Sequence, residues 1–443
     1  MPGLPEIPDC PAPDESPVDE RVWRRTLIVA WLGQVAAIMG FSFAMPLLPL
    51  FLGELGIDDE KTLRIWSGYI SAGSALSMMT LAPVWGILAD RFGKKLMVLR
   101  AMFAGAFIVA GMGLATTPWM LLAIRFLQGA FTGTVGASAA LVASVTPPKR
   151  AGFSLGLMST AVFVGHSIGP LVGGMTADAW GYRKTFFIGG GILLVAAFLI
   201  LFLAKEGKAP SSPGPRPTVR QELGGLLGVI YTPGFAVVIF FALVMAFSRT
   251  VMAPIFSLYV KSFTGPTGVA GVAGRLFSVT AISTALVAIP MGWLTDRLGY
   301  KFFLVAGTIL AGAACIPQAY VGSVSGIYGW RIIIGMGMGM SGPAMGRLLH
   351  RAVSPSSYGK AFGISQSASA MGWGLGSISG GYLGAWLGLR TPFVVTGIFQ
   401  ISVGVIALVV LSVLVRPDDA SAPAGPTEGG SDGAGPPASG GST

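Results

Sequence analysis

The chain has little charge, almost no cysteine and no asparagine. Only 11% of its 443 residues are Asp, Glu, Lys or Arg, where a soluble domain carries roughly 25%. That scarcity excludes an ordinary water-facing surface. Its two cysteines, Cys10 and Cys315, give no disulfide framework, because one lies in an N-terminal tail and the other inside an apolar run. The absence of Asn removes any glycosylation sequon. No GxxxxGK[ST] loop occurs, so ATP is not expected as the energy source. Gly337-Met-Gly339-Met-Ser-Gly342 matches GxGxxG, but it sits inside an apolar run and follows no strand, so it is not read as a dinucleotide site. No His, Cys, Asp or Glu cluster has metal-ligand or triad spacing. Neither a metal, a cofactor nor an enzyme is therefore expected.

What the chain does have is apolar length. It is 53% hydrophobic with a mean hydropathy of +0.72. Runs of about 20 apolar residues span a bilayer core. Twelve such runs can be read: 26–52, 65–89, 97–116, 118–145, 152–177, 185–204, 234–260, 270–295, 302–321, 325–349, 358–386 and 391–415. The first is too long for a signal peptide and carries no cleavage-like site, so it is kept as a membrane helix. The Pro/Ser/Gly-rich stretch 205–233 divides the chain into two halves, 22–204 and 234–416. Residues 1–21 and 417–443 have the composition of disordered tails. The expectation is an all-α polytopic membrane protein of two six-helix halves.

Charge placement orients it. With the N-terminus inside, nineteen of the 29 Lys and Arg residues fall on the cytoplasmic side. Eight fall outside: Lys61, Arg64, Arg183, Lys184, Lys261, Arg275, Arg331 and Arg390. Arg125 and Arg249 stay within spans. This bias follows the positive-inside rule with both termini cytoplasmic. It also accounts for the net charge of +10 without a nucleic acid partner.

The most informative feature is a repeat. Gly86-Ile-Leu-Ala-Asp90-Arg91-Phe-Gly93-Lys-Lys95 returns 206 positions later as Gly292-Trp-Leu-Thr-Asp296-Arg297-Leu-Gly299-Tyr-Lys301. Arg125, Gly129 and Gly133 return at the same displacement as Arg331, Gly335 and Gly339. Paired hydrophobic halves related by a pseudo-symmetry axis are a common way to build a transporter cavity. The charged GxLxDRxGxK loop between spans two and three resembles the signature of the major facilitator superfamily, and the resemblance covers about residues 22–416. It implies that Gly86, Asp90, Arg91, Gly93 and Lys95, with Asp296 and Arg297 in the second copy, help to lock the cytoplasmic side. A plain positive-inside anchor is the simpler alternative.

Span five carries Gly165-His166-Ser-Ile-Gly169-Pro170-Leu-Val-Gly173-Gly174. This resembles the GxxxGPxxGG element of drug:proton antiporters within that superfamily, although small residues at this spacing also serve plain helix packing. Pro46 and Pro49 in span one resemble another element of the subgroup. Arg125, with Gln128 and Gly129, resembles the RxxxG element of span four, which implies a part in proton coupling. Charges at membrane depth are costly and usually functional, and Arg249 in span seven is read as a substrate contact. His166 has a suitable intrinsic pKa for proton handling, but a lone histidine is more often a packed polar residue. No acid lies within an N-half span core, which puts carboxylate coupling in doubt unless Asp90, Glu54 or Asp178 serves. Met39, Phe41, Phe43, Met45, Phe247, Met252, Phe256, Tyr259, Met336, Met338, Met340 and Trp373 are candidates for a greasy cavity.

Together these readings imply a monomeric secondary transporter in a cytoplasmic (inner) membrane. It would export small amphipathic molecules against proton entry, with lipid as its surroundings. Carriage of an organic anion or metabolite, with Arg125 and Arg249 as carboxylate partners, is the alternative. A receptor or sensor on the same scaffold is a more distant one.

Overall fold

The computed structural model describes residues 20–131, 133–147, 150–207, 235–353 and 358–414. The readings made for the tails before 20 and after 414, and for linker residues 208–234, lie outside these. The helices are α1 (Glu20–Ser42), α2 (Leu48–Glu54), α3 (Glu60–Phe92), α4 (Lys94–Met112), α5 (Pro118–Phe131), α6 (Thr134–Ala143), α7 (Ala151–Trp180) and α8 (Tyr182–Leu203) in the first half. The second half holds α9 (Phe235–Thr250), α10 (Ala253–Thr264), α11 (Val269–Leu298), α12 (Tyr300–Gln318), α13 (Val324–Ala352), α14 (Tyr358–Leu387) and α15 (Thr391–Leu414). Helix is the economical choice here, because in lipid every backbone N–H and C=O must find its partner within the segment.

Three of the expected spans are broken. The first divides into α1 and α2 across Phe43–Leu47, where Pro46 and Pro49 interrupt the helical bonding. The fourth breaks at Gly133, whose φ of 126° no L side chain adopts easily. The seventh breaks at Val251 and Met252, just before Pro254.

Among the described residues, ten helical spans are long and apolar enough to cross a membrane. The two remaining long helices, α3 and α14, have 33 and 30 residues. They share the most extensive helix–helix packing in the molecule. Gly68 of α3 and Ser377 and Gly381 of α14 face each other rather than lipid, and such small residues add little apolarity to a span.

Packing follows the sequence repeat. α1 packs on α7 as α9 packs on α14. Likewise α3 packs on α5 as α11 packs on α13, and α4 on α8 as α12 on α15. Each half has its own apolar cores, with Phe43, Phe51 and Phe186 fully buried in one and Phe235, Phe256 and Phe393 in the other. The halves meet chiefly through α3 on α14 and α7 on α11.

Those seams close one end of the molecule. The Gly68 Cα faces the Ser377 carbonyl and the Gly381 Cα so closely that no Cβ would fit. Nearby, Arg64 Nη1 donates to the Gly384 carbonyl at 3.1 Å, and the Tyr69 and Tyr382 hydroxyls share a hydrogen bond of 2.6 Å. Gly174 abuts Ala270, and Gly274 abuts the Pro170 carbonyl. All these approaches lie in the parts of the helices remote from the Gly93 and Gly299 turns. Also at this sealed end, Asp59 caps α3 by accepting from the Thr62 hydroxyl at 2.6 Å and the Thr62 amide at 2.8 Å, and these hydrogen bonds hold its carboxyl below its ordinary range.

One charge lies elsewhere than the sequence suggested. Arg331, counted among the outer-side charges, lies inside α13, only 3% exposed, with its guanidinium 3.7 Å from the centre of the Phe256 ring. The short break after α12 starts α13 at Val324, so a residue eight positions in is already within the bundle.

Candidate functional site

A cavity of about 280 Å³ opens in the second half, on the turn side of the seal. Three helices line it at helical spacing: Met245 and Arg249 from α9, Met345 and Leu349 from α13, and Phe362, Gln366 and Trp373 from α14. Ser365 and Ser369 add hydroxyls. Among the described residues Arg249 is the only charged one in the lining, and its Nη2 donates to the Ser341 hydroxyl at 2.9 Å. One cation, a few neutral polar groups and Met and aromatic walls make a surface that suits amphipathic molecules of several shapes.

Of the twelve greasy candidates only Trp373 lines this cavity. Phe43, Met252, Phe256 and Tyr259 are buried in the cores instead. The sequence gives the helical spacing but not the direction each face points. Register counted from Arg249 would have found Met245, one turn away.

Arg125 belongs to a different network. Its Nε donates to the Ile70 carbonyl on α3 at 3.1 Å, and its Nη1 donates to the Gln128 side-chain oxygen. Gly129 lies so close to the Ser74 carbonyl that no larger residue fits. The RxxxG element thus clamps α5 onto α3. The four residues read as one coupling and cavity group therefore separate into Arg125 with Gln128, Arg249 with Ser341, and His166. His166 is exposed on α7, one turn from Pro170 and on the same face. That face meets α11 beyond Pro170.

The span-five ladder has two sides. Gly165, Gly169 and Gly173 press against Ile38, Met39 and Phe43 of the first span, while Gly174 presses against Ala270 of α11. The second half repeats this at a displacement of 207. There Gly372, Gly376 and Gly380 meet Leu243, Phe247 and Val251, and Gly381 meets Gly68. The glycines allow backbone contact that any Cβ would prevent.

At the first turn Gly93 ends α3 with φ 99° and Gly299 ends α11 with φ 88°. The side chains of Asp90, Arg91 and Asp296 lie outside the described residues, as do the contacts of Gly86. Arg297 lies 3.8 Å over the Trp293 ring. The sequence reading missed Glu206. Its carboxylate accepts from the Lys94 and Lys95 amides at 2.6 and 3.2 Å, capping the N-terminus of α4, while Lys95 Nζ donates to the Leu201 carbonyl at 2.8 Å. A single acid at the start of a linker offers no motif by which to find it.

The family model of the Major Facilitator Superfamily matches residues 30–272 and 238–438. The chain belongs to the major facilitator superfamily. It is a multi-pass membrane secondary transporter, not an enzyme. Among superfamily relatives, it is 34% identical to the Multidrug resistance protein MdtG of Citrobacter koseri, over 87% of this chain and 94% of that one. It is 33% identical to MdtG of Escherichia coli, over 87% and 93%. Among solved structures it resembles a bacterial homolog of the human lysosomal transporter Spinster in an inward-facing, unoccupied conformation, with TM-score 0.72, 16% identity, and 88% and 97% of the two chains covered. The human organic anion transporter MFSD10 gives TM-score 0.65 at 16% identity, over 87% and 99%. At such identities these structures speak to the fold alone.

Proposed function

We propose that the protein exports small amphipathic compounds in exchange for protons, by alternating access of residues 22–204 against 234–416 about a central site. The observation that carries this reading is the Arg249 cavity, with its Met and aromatic walls on one side of a sealed interface. The name of the MdtG relatives supports drug efflux as the class of activity. The positive-inside bias puts both termini and the Gly93 turn in the cytoplasm, so the state described is open inward. The test is transport of a compound panel in inverted membrane vesicles, with and without a pH gradient. Uptake that needs the gradient is expected, and uptake indifferent to it would reject proton exchange.

A second reading, carriage of an organic anion, is favoured by one feature: among the described residues, no acid lines the cavity beside Arg249. Arg249→Ala separates the two. Under the anion reading it weakens binding of acidic compounds by about 1.5–3 kcal/mol, the worth of a hydrogen bond to a charged group, and leaves neutral ones nearly unchanged. Under the export reading all compounds lose a similar, smaller amount. Binding titrations on purified protein decide it.

The gating role proposed for the first turn predicts that Asp90→Asn largely abolishes transport while insertion and abundance stay normal. Asp296→Asn is milder. Near-normal flux in the Asp90 variant would reject the gating role.

A further inference from the structure

Asp178 stands at the sealed end of α7, on the seam between halves. Its Oδ2 accepts a hydrogen bond of 2.8 Å from the Gly271 amide. Gly271 is the third residue of α11, so this amide is one of the orphan donors of a helix start, where the helix dipole also favours a negative charge. The bond joins one half of the molecule to the other.

The surrounding sequence explains the placement. Gly174-Met-Thr-Ala177-Asp178-Ala-Trp-Gly181 has the same pattern as Gly86-Ile-Leu-Ala89-Asp90-Arg-Phe-Gly93, displaced by 88 positions. Both helices end in a glycine of positive φ, 99° at Gly93 and 83° at Gly181, and the next helix starts at once. The pattern therefore occurs at both ends of the first half, once on α3 and once, inverted, on α7. In the second half the corresponding α14 stretch is Gly381-Tyr-Leu-Gly384-Ala385-Trp-Leu-Gly388, with Ala385 where the acid would stand. There Arg64 of α3 reaches the Gly384 carbonyl instead. The α7–α11 seam has an acid and the α3–α14 seam has none at that position.

The close approach is built in. A Cβ on Gly174 would strike the Ala270 carbonyl, one on Gly274 would strike the Pro170 carbonyl, and one on Gly271 would strike Asp178 itself. Three glycines thus bring the backbones together so that the carboxylate meets the amide. Asp178 is exposed to solvent at this end, and the exposed Arg275 of α11 brings its guanidinium within 3.8 Å of the place a Gly271 Cβ would take.

We infer that Asp178 is a gating residue: its bond to the Gly271 amide is the latch that holds the sealed end shut, the counterpart at this end of the Asp90 turn at the other. The latch must break each time the cavity opens to this side. Any compound carried and any coupling ion are immaterial to it. The inference rests on the alternating-access reading above, but its test reads distance and not transport, so failure of one is distinguishable from failure of the other.

The experiment places nitroxide labels at Lys184→Cys and Thr267→Cys, which are exposed on opposite halves at the sealed end. Cys10→Ser is added, and the buried Cys315 is left. Pulsed electron spin resonance on the full chain in lipid then gives the distance distribution. In Asp178→Ala the ratio of short to long distances is expected to fall about two- to fivefold, the factor for losing a carboxylate at a helix start. Gly271→Ala, whose methyl displaces the carboxylate, shifts the same way, and it serves if Asp178→Ala fails to fold. Asp178→Asn, which keeps an acceptor oxygen but no charge, falls between. Asp58→Ala, an acid at the same end with no part in the seam, leaves the distribution unchanged. Unchanged distances in the Asp178→Ala and Gly271→Ala variants, or an equal shift in Asp58→Ala, overturn the latch.

Discussion

Gly169→Leu is expected to leave little folded protein in the membrane. A Cβ at Gly169 would meet the Ser42 hydroxyl and lie 2.8 Å from the Met39 carbonyl. The carbonyl is main chain and cannot rotate aside, so the two helices must part. Overpacking of this kind costs about 1–3 kcal/mol. Inside lipid there is no hydrophobic gain between helices to offset it. Parting α7 from the first span also frees the Ser42 hydroxyl, which bonds the Ile38 and Gly165 carbonyls at 2.8 and 3.3 Å. The control lies on the same helix: a Cβ at Gly156 meets nothing within 4 Å, so Gly156→Leu should insert and transport normally. The repeat supplies a second case, Gly376→Leu, which strikes the Phe247 carbonyl. Thermal unfolding of the purified variants in detergent reads the difference. Equal melting of the Gly169 and Gly156 variants would show that the close contact carries no stability.

Arg125→Ala is expected to stop uphill transport driven by a pH gradient, by about tenfold or more, equivalent to about 1.4 kcal/mol in a rate-limiting barrier. The side chain makes two bonds in two directions, to the Ile70 carbonyl and to Gln128. Its removal leaves that carbonyl and that amide without their partner, at a cost of about 1–3 kcal/mol for each buried group. Arg125→Lys restores little, since an ammonium cannot hold two acceptors in the fixed fork that a guanidinium presents. A purely structural clamp predicts a lower melting temperature with residual coupled flux. A coupling role predicts retained ligand affinity with lost flux. A loss of affinity confined to acids would instead place Arg125 at an anionic substrate. Affinity, flux and melting temperature on the same variant separate the three outcomes.

Much of the fold was legible because lipid simplifies the code. Apolar length reports a span, and a charged glycine turn reports its end. The repeat at 206 and 207 positions told that the halves match, and the packing of α1 on α7 and of α9 on α14 follows it. The 88-residue echo of Asp90 at Asp178 was also present in the letters. It is the fainter copy, because Arg91 has no counterpart at Ala179 and the charged pair that marks the loop is missing.

By itself the sequence determined the helical class, the pairing of halves, the deep charges Arg125 and Arg249 and the glycine ladders. These depend on composition and on order along one strand of chain. Tertiary structure alone decided that Phe43, Phe256 and Tyr259 fill cores while Met245, Phe362 and Gln366 face the cavity. It also decided that Arg331 is buried, that Glu206 caps α4, and that Asp178 finds an amide 93 residues away. The physical reason is common to all of these. In a membrane helix an apolar side chain is acceptable to lipid, core and cavity alike, so hydrophobicity does not say which way a face points. Only the neighbouring helix, brought close by glycine, does so.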